Sequence, residues 1–391
     1  MEKQYKETWL VGGRSYNINE LDDVCTVTAI GFDHTKANVT DISLAAHALS
    51  TKISQRALAT NKTVNVIVLL NVEECNIHSG MLHWCKFLTN NFKHNAEINK
   101  YCIITNKTFD IASNPYPNII SIDWFLHSTI CVYRNELLTF PAWEPTNLDV
   151  LFLPGKLPNA NRFPALYYFL HDEKIKEKIK YSCITFEEMS IWLDGSAAKL
   201  LDNFNSVFST SYSEKELCHI VNSIARTIDR PFINTTGRRD FDMIDPLYYE
   251  NVAVEIVAET SAGQPKFITE KSFKPIVLGY PFVHIHCQFT DRLQSLGFKV
   301  FQSWLPHDTA RDSRDYHNEF KTCVENVDRV VNNIQQLKFK HIQASIKHNQ
   351  ELSINIHNNT VNSIANIIPD FGDIAHNVFT HYATLGRETN R

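Results

Sequence analysis

The run Val64-Asn-Val-Ile-Val-Leu-Leu70 limits what this chain can fold into more than any other feature. Seven residues are short for a buried helix, and a β-branched, nearly continuous apolar run suits a strand covered on both faces. Such a strand needs helices packed on it, and parallel neighbours reached through helical crossovers. The chain beyond Leu70 supplies both. Met81, Trp84, Cys85 and Leu88 recur at helical spacing after Gly80, Tyr101–Thr105 reads as the next strand, and Asn118–Ile122 as a third. The expected class is α/β.

Between about 132 and 250 the pattern changes. Leu151–Lys156 reads as a strand entering a turn, Pro164–Leu170 as a helix, Asp172–Lys180 as a charged segment and Glu214–Thr227 as an amphipathic helix. From 251 the alternation returns, with a strand at Val252–Ala258, a helix starting near Thr269 and a strand at Phe282–His286. A short helix, Thr290–Leu296, has Thr290 placed to cap it and Gly297 to end it, and Phe298–Phe301 comes next as a strand. Beyond 315, helices are expected at Val324–Leu337 and about Phe339–His348. These segments divide the chain into an N-terminal α/β domain (1–150), a C-terminal α/β domain (151–340) and a helical tail (341–391).

Composition excludes several classes. With 43% apolar residues the chain buries a core, and 38 basic against 43 acidic residues leave a charge of -5 with no dense basic run. That argues against nucleic acid as the partner. Nine scattered cysteines, without a Cys-x-x-Cys pair, suit reduced thiols in the cytoplasm and no structural zinc. The charged N-terminus does not read as a signal peptide, and no apolar run approaches the roughly 18 residues of a membrane span. The sequons at Asn38 and Asn61 would then meet no glycosylating machinery.

The chemistry gathers at Phe267-Ile-Thr-Glu-Lys-Ser-Phe-Lys-Pro-Ile276. Thr269 stands where an N-cap belongs, so a helix start with outward N–H groups is expected there, able to take a phosphate. Glu270 offers a carboxylate to ribose hydroxyls and Lys271 an ammonium to a diphosphate. The same three residues also describe a plain capping and surface-charge pattern. Pro275 inside the helix predicts a kink or an early end.

Together with Val254-Glu-Ile-Val-Ala-Glu-Thr260 and Gly279-Tyr-Pro-Phe282, this stretch resembles the donor-binding half of GT-B glycosyltransferases. It is nearest to the α1,3-fucosyltransferase-like group and its phage and large-virus relatives. The resemblance is specific over some 60 residues and weak in the N-terminal half. It implies two Rossmann-like domains facing a cleft, with C-terminal helices bracing them. It also implies Glu270 on the ribose and Lys271 on the diphosphate of a nucleotide sugar, with GDP among the donor nucleotides, and no metal cofactor. The acceptor would be a hydroxyl of a glycan, a protein or another molecule, and a viral chain would work in the host cytoplasm.

Arg162, after Gly155–Asn161, is similar to the arginine that holds donor phosphates in these relatives, and equally to a surface arginine at a helix start. Gly155-Lys156 is not a phosphate-binding Walker loop. Arg238 and Arg239, in a polar loop, could grip a diphosphate in bidentate fashion. Glu73 and Glu74, directly after the 64–70 strand, stand where α/β sheets place ligands and are the candidates for a general base. His78 and His83 are alternatives, but their spacing does not set both on one helix face. His284 and His286 alternate on an expected strand and so face one side, with no third metal ligand evident. A non-catalytic sugar- or nucleotide-binding protein, or a host-interaction protein that kept the fold, is the rival expectation.

Overall fold

The computed structural model describes residues 7–11, 14–21, 24–29, 39–60, 63–70, 78–106, 117–133, 142–145, 148–154, 162–181, 198, 200–226, 246–259, 268–301, 316–335, 339–369 and 371–385. The chain divides into two compact units, Met1–Cys131 with Asn355–Arg391, and Val132–Ile354. The limits therefore lie at 131/132 and 354/355, where the sequence led us to expect 150/151 and 340/341.

The first unit opens with three antiparallel strands, β1 (Glu7–Val11), β2 (Arg14–Leu21) and β3 (Val24–Ala29). Then come α1 (Val39–Thr60), β4 (Val64–Leu70), α2 (His78–Lys93), β5 (Ile98–Asn106), β6 (Ile119–Ile122) and α3 (Trp124–Tyr133). The six strands lie in chain order, and β3 through β6 pair in parallel. The apolar run at 64–70 is an interior strand, with successive residues Val66, Ile67, Val68 and Leu69 all buried. Covering both faces of a strand in this way requires helices; α1 and α2 pack on each other and both contact the neighbouring strand β5. Asn95, just past α2, donates to Ser50 Oγ (2.9 Å) and Ser54 Oγ (2.7 Å) and so pins α1 in place.

The second unit holds β7 (Asp149–Phe152), α4 (Arg162–His171), β8 (Ile179–Tyr181), α5 (200–208) and α6 (Glu214–Arg226). A 3₁₀ turn (Pro246–Tyr249) precedes β9 (Val252–Val257), α7 (Glu270–Leu278), β10 (Phe282–His284), α8 (Cys287–Ser295) and α9 (Tyr316–Gln335). Two long helices finish the chain, α10 (Phe339–Ala365) and α11 (Phe371–Leu385), and the unit limit at 354/355 falls inside α10. In the first unit Phe379 of α11 meets Trp124 and His127 of α3, at ring separations of 5.3 and 5.1 Å.

The second sheet is parallel throughout, in the order β10-β9-β7-β8. All six residues of β9 are buried, as a central parallel strand requires. Aromatic rings of α4 fill its flank, Phe169 lying 5.4 Å from Phe152 of β7 and 6.2 Å from Phe320 of α9. The chain goes from β7 to β8 on one side, then returns to place β9 on the other side of β7. Strand order therefore reverses between β7 and β9. At such a switch point right-handed crossovers send the two connections to opposite faces, which opens a crevice at the carboxyl edge.

Several expectations are corrected. The helix expected to start at Thr290 starts at Cys287, and its N-cap is His286. Thr290 lies within it and its hydroxyl faces His284 Nδ1 instead (3.4 Å). Gly297 does end that helix, in the left-handed region at φ 93°, with Phe298 N–H bonding Leu293 O and Gly297 N–H bonding Gln294 O. Phe298–Phe301 is not a strand. Asn349 of α10 replaces a strand partner there, accepting from Lys299 N (2.7 Å) and donating to Lys299 O (2.8 Å). Within the charged 172–180 segment, turns lead into the edge strand β8.

Candidate functional site

The site is built from the segments that leave the strands at the carboxyl edge of the second sheet. After β9 the backbone of Thr269 is extended (φ −105°, ψ −176°), and its hydroxyl oxygen accepts from Lys271 N–H at 3.4 Å, so the expected N-cap is present. Pro275 sits inside α7, which ends one turn later at Gly279. Gly279 has φ +84°, and its N–H and that of Tyr280 both reach Pro275 O, at 2.9 and 2.8 Å.

Glu259 organises this helix start. Its carboxylate is 2% exposed and accepts from Thr269 N (3.0 Å), Thr269 Oγ (2.5 Å) and Ser272 Oγ. Because the Ser272 hydroxyl gives its proton to Glu259, its contact with His284 Nε2 (2.8 Å) has the imidazole N–H as donor. His284 Nδ1 then takes the acceptor role toward the Thr290 hydroxyl. Burial, with His286 nearby, holds His284 down at about 3, in keeping with a neutral ring. Serine, histidine and glutamate meet here, but the serine stands between the other two and is wholly buried, so it is a structural link and no nucleophile.

Glu270 and Lys271 point their charges at each other and form an ion pair. Burial pushes the Glu270 carboxyl up, but Lys271, then Lys274 one turn on and the residue's own backbone N–H, together hold it below its ordinary value. Lys274 also faces Glu255 in the middle of β9. Complete burial raises Glu255 to about 7 against the opposing effects of Lys274 and of the Tyr249 hydroxyl, which donates to it at 2.7 Å. The N–H groups of Thr269 and Lys271 and the charges of Glu270 and Lys271 are thus engaged internally, and an incoming diphosphate would take Lys271 by exchange with Glu270.

Arg162 is the first residue of α4, which comes after β7, and is 4% exposed. It and Thr269–Lys271 begin the helices that come after β7 and β9, the two strands flanking the switch point. Glu73, Glu74, Arg238 and Arg239 lie outside the described residues, as does the side chain of His78. His83 lies on α2 in the first unit, its ring stacked on Phe87.

His284 and His286 bond different partners. β10 ends at His284, though Ile285 N–H still reaches Val257 O (3.0 Å), which sets His286 just past the last rung beside β9. His286 Nδ1 bonds Glu319 Oε2 at 2.5 Å, in the first turn of α9. Among the described residues no three His, Cys, Asp or Glu side chains group to hold a metal ion. No helix among them is long and apolar enough to cross a membrane. Cys85, Cys102, Cys131, Cys218 and Cys323 are free, and burial raises Cys85 and Cys102 to about 12, so these two are inert thiols.

Glu259 and the His286–Glu319 pair carry much of this geometry, and the sequence reading assigned them no such role. Neither has a local signal: the partners of Glu259 lie ten and thirteen residues further along the chain, and Glu319 is 33 residues from His286. No family model matches the chain, and neither does any curated protein or solved structure.

Proposed function

We propose that this chain is a glycosyltransferase that moves a sugar from a nucleoside-diphosphate sugar to an acceptor hydroxyl, with the donor at the carboxyl edge of the second unit. The observation that carries the reading is the reversal of strand order between β7 and β9, with Arg162 opening the helix after one and Thr269, Glu270 and Lys271 opening the helix after the other. Crevices of this kind are where open α/β sheets hold nucleotides. The sugar itself rests on the resemblance of 254–282 to GT-B donor domains, and with it the view of the two units as the acceptor and donor halves of such an enzyme.

In this reading Glu270 accepts from ribose hydroxyls once Lys271 turns to the diphosphate. Lys271 and Arg162 then stabilise the charge that develops on the departing nucleotide, which is where transfer from a diphosphate gains most. Arg238 and Arg239 would add to the phosphate grip, and Glu73 and Glu74 are the candidates for the base that the acceptor hydroxyl needs.

Thermal denaturation with a panel of nucleoside diphosphates and their sugars tests the proposal. At about a hundredfold excess over Kd, a bound nucleotide stabilises by roughly 2.7 kcal/mol, several degrees in Tm, and Lys271→Ala should lose most of it. No shift with any nucleotide sinks the donor site; shifts without turnover of any sugar donor favour the non-catalytic binding protein.

A further inference from the structure

The first turns of α7 carry two cations beside one carboxylate. Glu270 is 7% exposed and paired with Lys271, its neighbour in the chain. Lys274 stands four residues on from Glu270, one turn along the same face, which is the order and spacing that lets a glutamate and a lysine meet on a helix. It too is 7% exposed, and among the described residues its ammonium makes no hydrogen bond and no direct ion pair. Its charge acts instead on two carboxylates, Glu270 on its own helix and Glu255 in β9, against which α7 packs. A buried ammonium bonded to neither of two neighbouring carboxylates is costly where it rests and gains by closing on one of them.

We infer that Lys274 is a standby counter-ion for Glu270: when a diphosphate draws Lys271 away, Lys274 closes on Glu270, and Glu255, left without its cation, takes up a proton. The inference rests on the nucleotide-diphosphate reading of the crevice, in which Lys271 leaves Glu270 for the ligand. Without a second cation that departure would strand a buried negative charge, and Glu270 would take a proton and lose acceptor capacity toward the ribose. Glu255 is the group able to adjust. Burial raises it to about 7 against the lowering by Lys274 and by the Tyr249 hydroxyl, which donates to it at 2.7 Å. Those two, from α7 and the 3₁₀ turn, are the groups that act on it; among the described residues β7, β10 and α9, which also pack on β9, bring no charge to bear. Once Lys274 turns to Glu270, the desolvation of Glu255 is less opposed and its proton affinity rises. Diphosphate binding should therefore draw a proton from water near neutral pH.

Calorimetric titration of the full chain with GDP-mannose and UDP-glucose, whose diphosphates do not titrate near neutral pH, counts that proton when run in two buffers of different ionisation enthalpy. The wild type should take up a fraction of a proton at pH 7 and bind roughly fivefold more tightly at pH 6 than at pH 8, the effect of a tenfold rise in the proton affinity of Glu255 on binding. Glu255→Gln keeps an acceptor for Tyr249 but cannot titrate, so it should bind without uptake, and as tightly at pH 8 as the wild type does at pH 6. Lys274→Met should also lose the uptake and bind roughly tenfold more weakly, and Lys274→Arg should restore most of the affinity. Wild-type binding with no uptake, or uptake that survives in Glu255→Gln, overturns the inference and leaves the nucleotide site standing. No binding by the wild type of either sugar nucleotide, or of GDP or UDP, overturns both. If Lys274→Met does not fold, the comparison of Glu255→Gln with the wild type decides.

Discussion

Glu259 is the residue on which the start of α7 turns, because a single buried carboxylate satisfies three hydrogen-bond donors from Thr269 and Ser272. Removing it leaves the Thr269 N–H and the O–H groups of Thr269 and Ser272 buried without their acceptor. Glu259→Ala should cost roughly 3 kcal/mol, read as a fall in Tm or in denaturation midpoint, and an unchanged midpoint would show that the bonds are dispensable. Gly279 is constrained in two ways. Its φ of +84° is strained for any residue with a Cβ, and a Cβ there would lie 2.6 Å from the Gln350 side-chain nitrogen. Gly279→Ala should destabilise by about 1–2 kcal/mol from the backbone alone, and more if Gln350, which donates to Val277 O, cannot move. Both glycines that close helices, Gly279 and Gly297, stand out in the sequence because a backbone at positive φ singles out glycine. Glu259 does not, since its partners lie ten and thirteen residues further along the chain.

Among the elements, β9 joins burial to charge. Glu255 in its middle is raised to about 7 by burial, so the folded state holds a proton there that the unfolded chain releases at lower pH. A carboxyl raised on folding contributes stability at low pH and loses it as pH climbs through the folded value. Between about pH 4.5 and 7 the wild type should therefore lose stability relative to Glu255→Gln, by an amount on the order of 3 kcal/mol, and the difference should level off above that window. Paired denaturation curves at pH 5 and pH 8 check the sign; a gap that does not change with pH would contradict the burial account. Such elements were legible to different degrees. β4 and β9 announce themselves as short apolar runs, each broken by a single polar residue, Asn65 and Glu255. α3 does not: residues 124–132 are nearly all buried, so it has no polar stripe to reveal a helical period. Phe298–Phe301 looked like a strand by composition, but its backbone is satisfied by Asn349, 50 residues away. No local pattern encodes that pairing.

For the whole molecule, the chain's alternation foretold parallel α/β sheets, and both sheets contain them. The order of strands was not readable, because short apolar runs do not state their neighbours. That order matters most for function: it makes a switch point in the second unit, where the sequence had independently marked Thr269, Glu270, Lys271 and Arg162. The unit limits were also hidden, since the second falls within the uninterrupted helix α10. The central claim is that a nucleoside diphosphate binds at the carboxyl edge of β7 and β9. Photo-crosslinking with an azido-substituted nucleoside diphosphate, and then peptide mapping, tests it most directly. The account predicts labelled peptides from the segments after β7 and β9, suppressed by unlabelled nucleotide and weakened in Lys271→Ala. Competed labelling confined to the first unit, within 1–131, would contradict it.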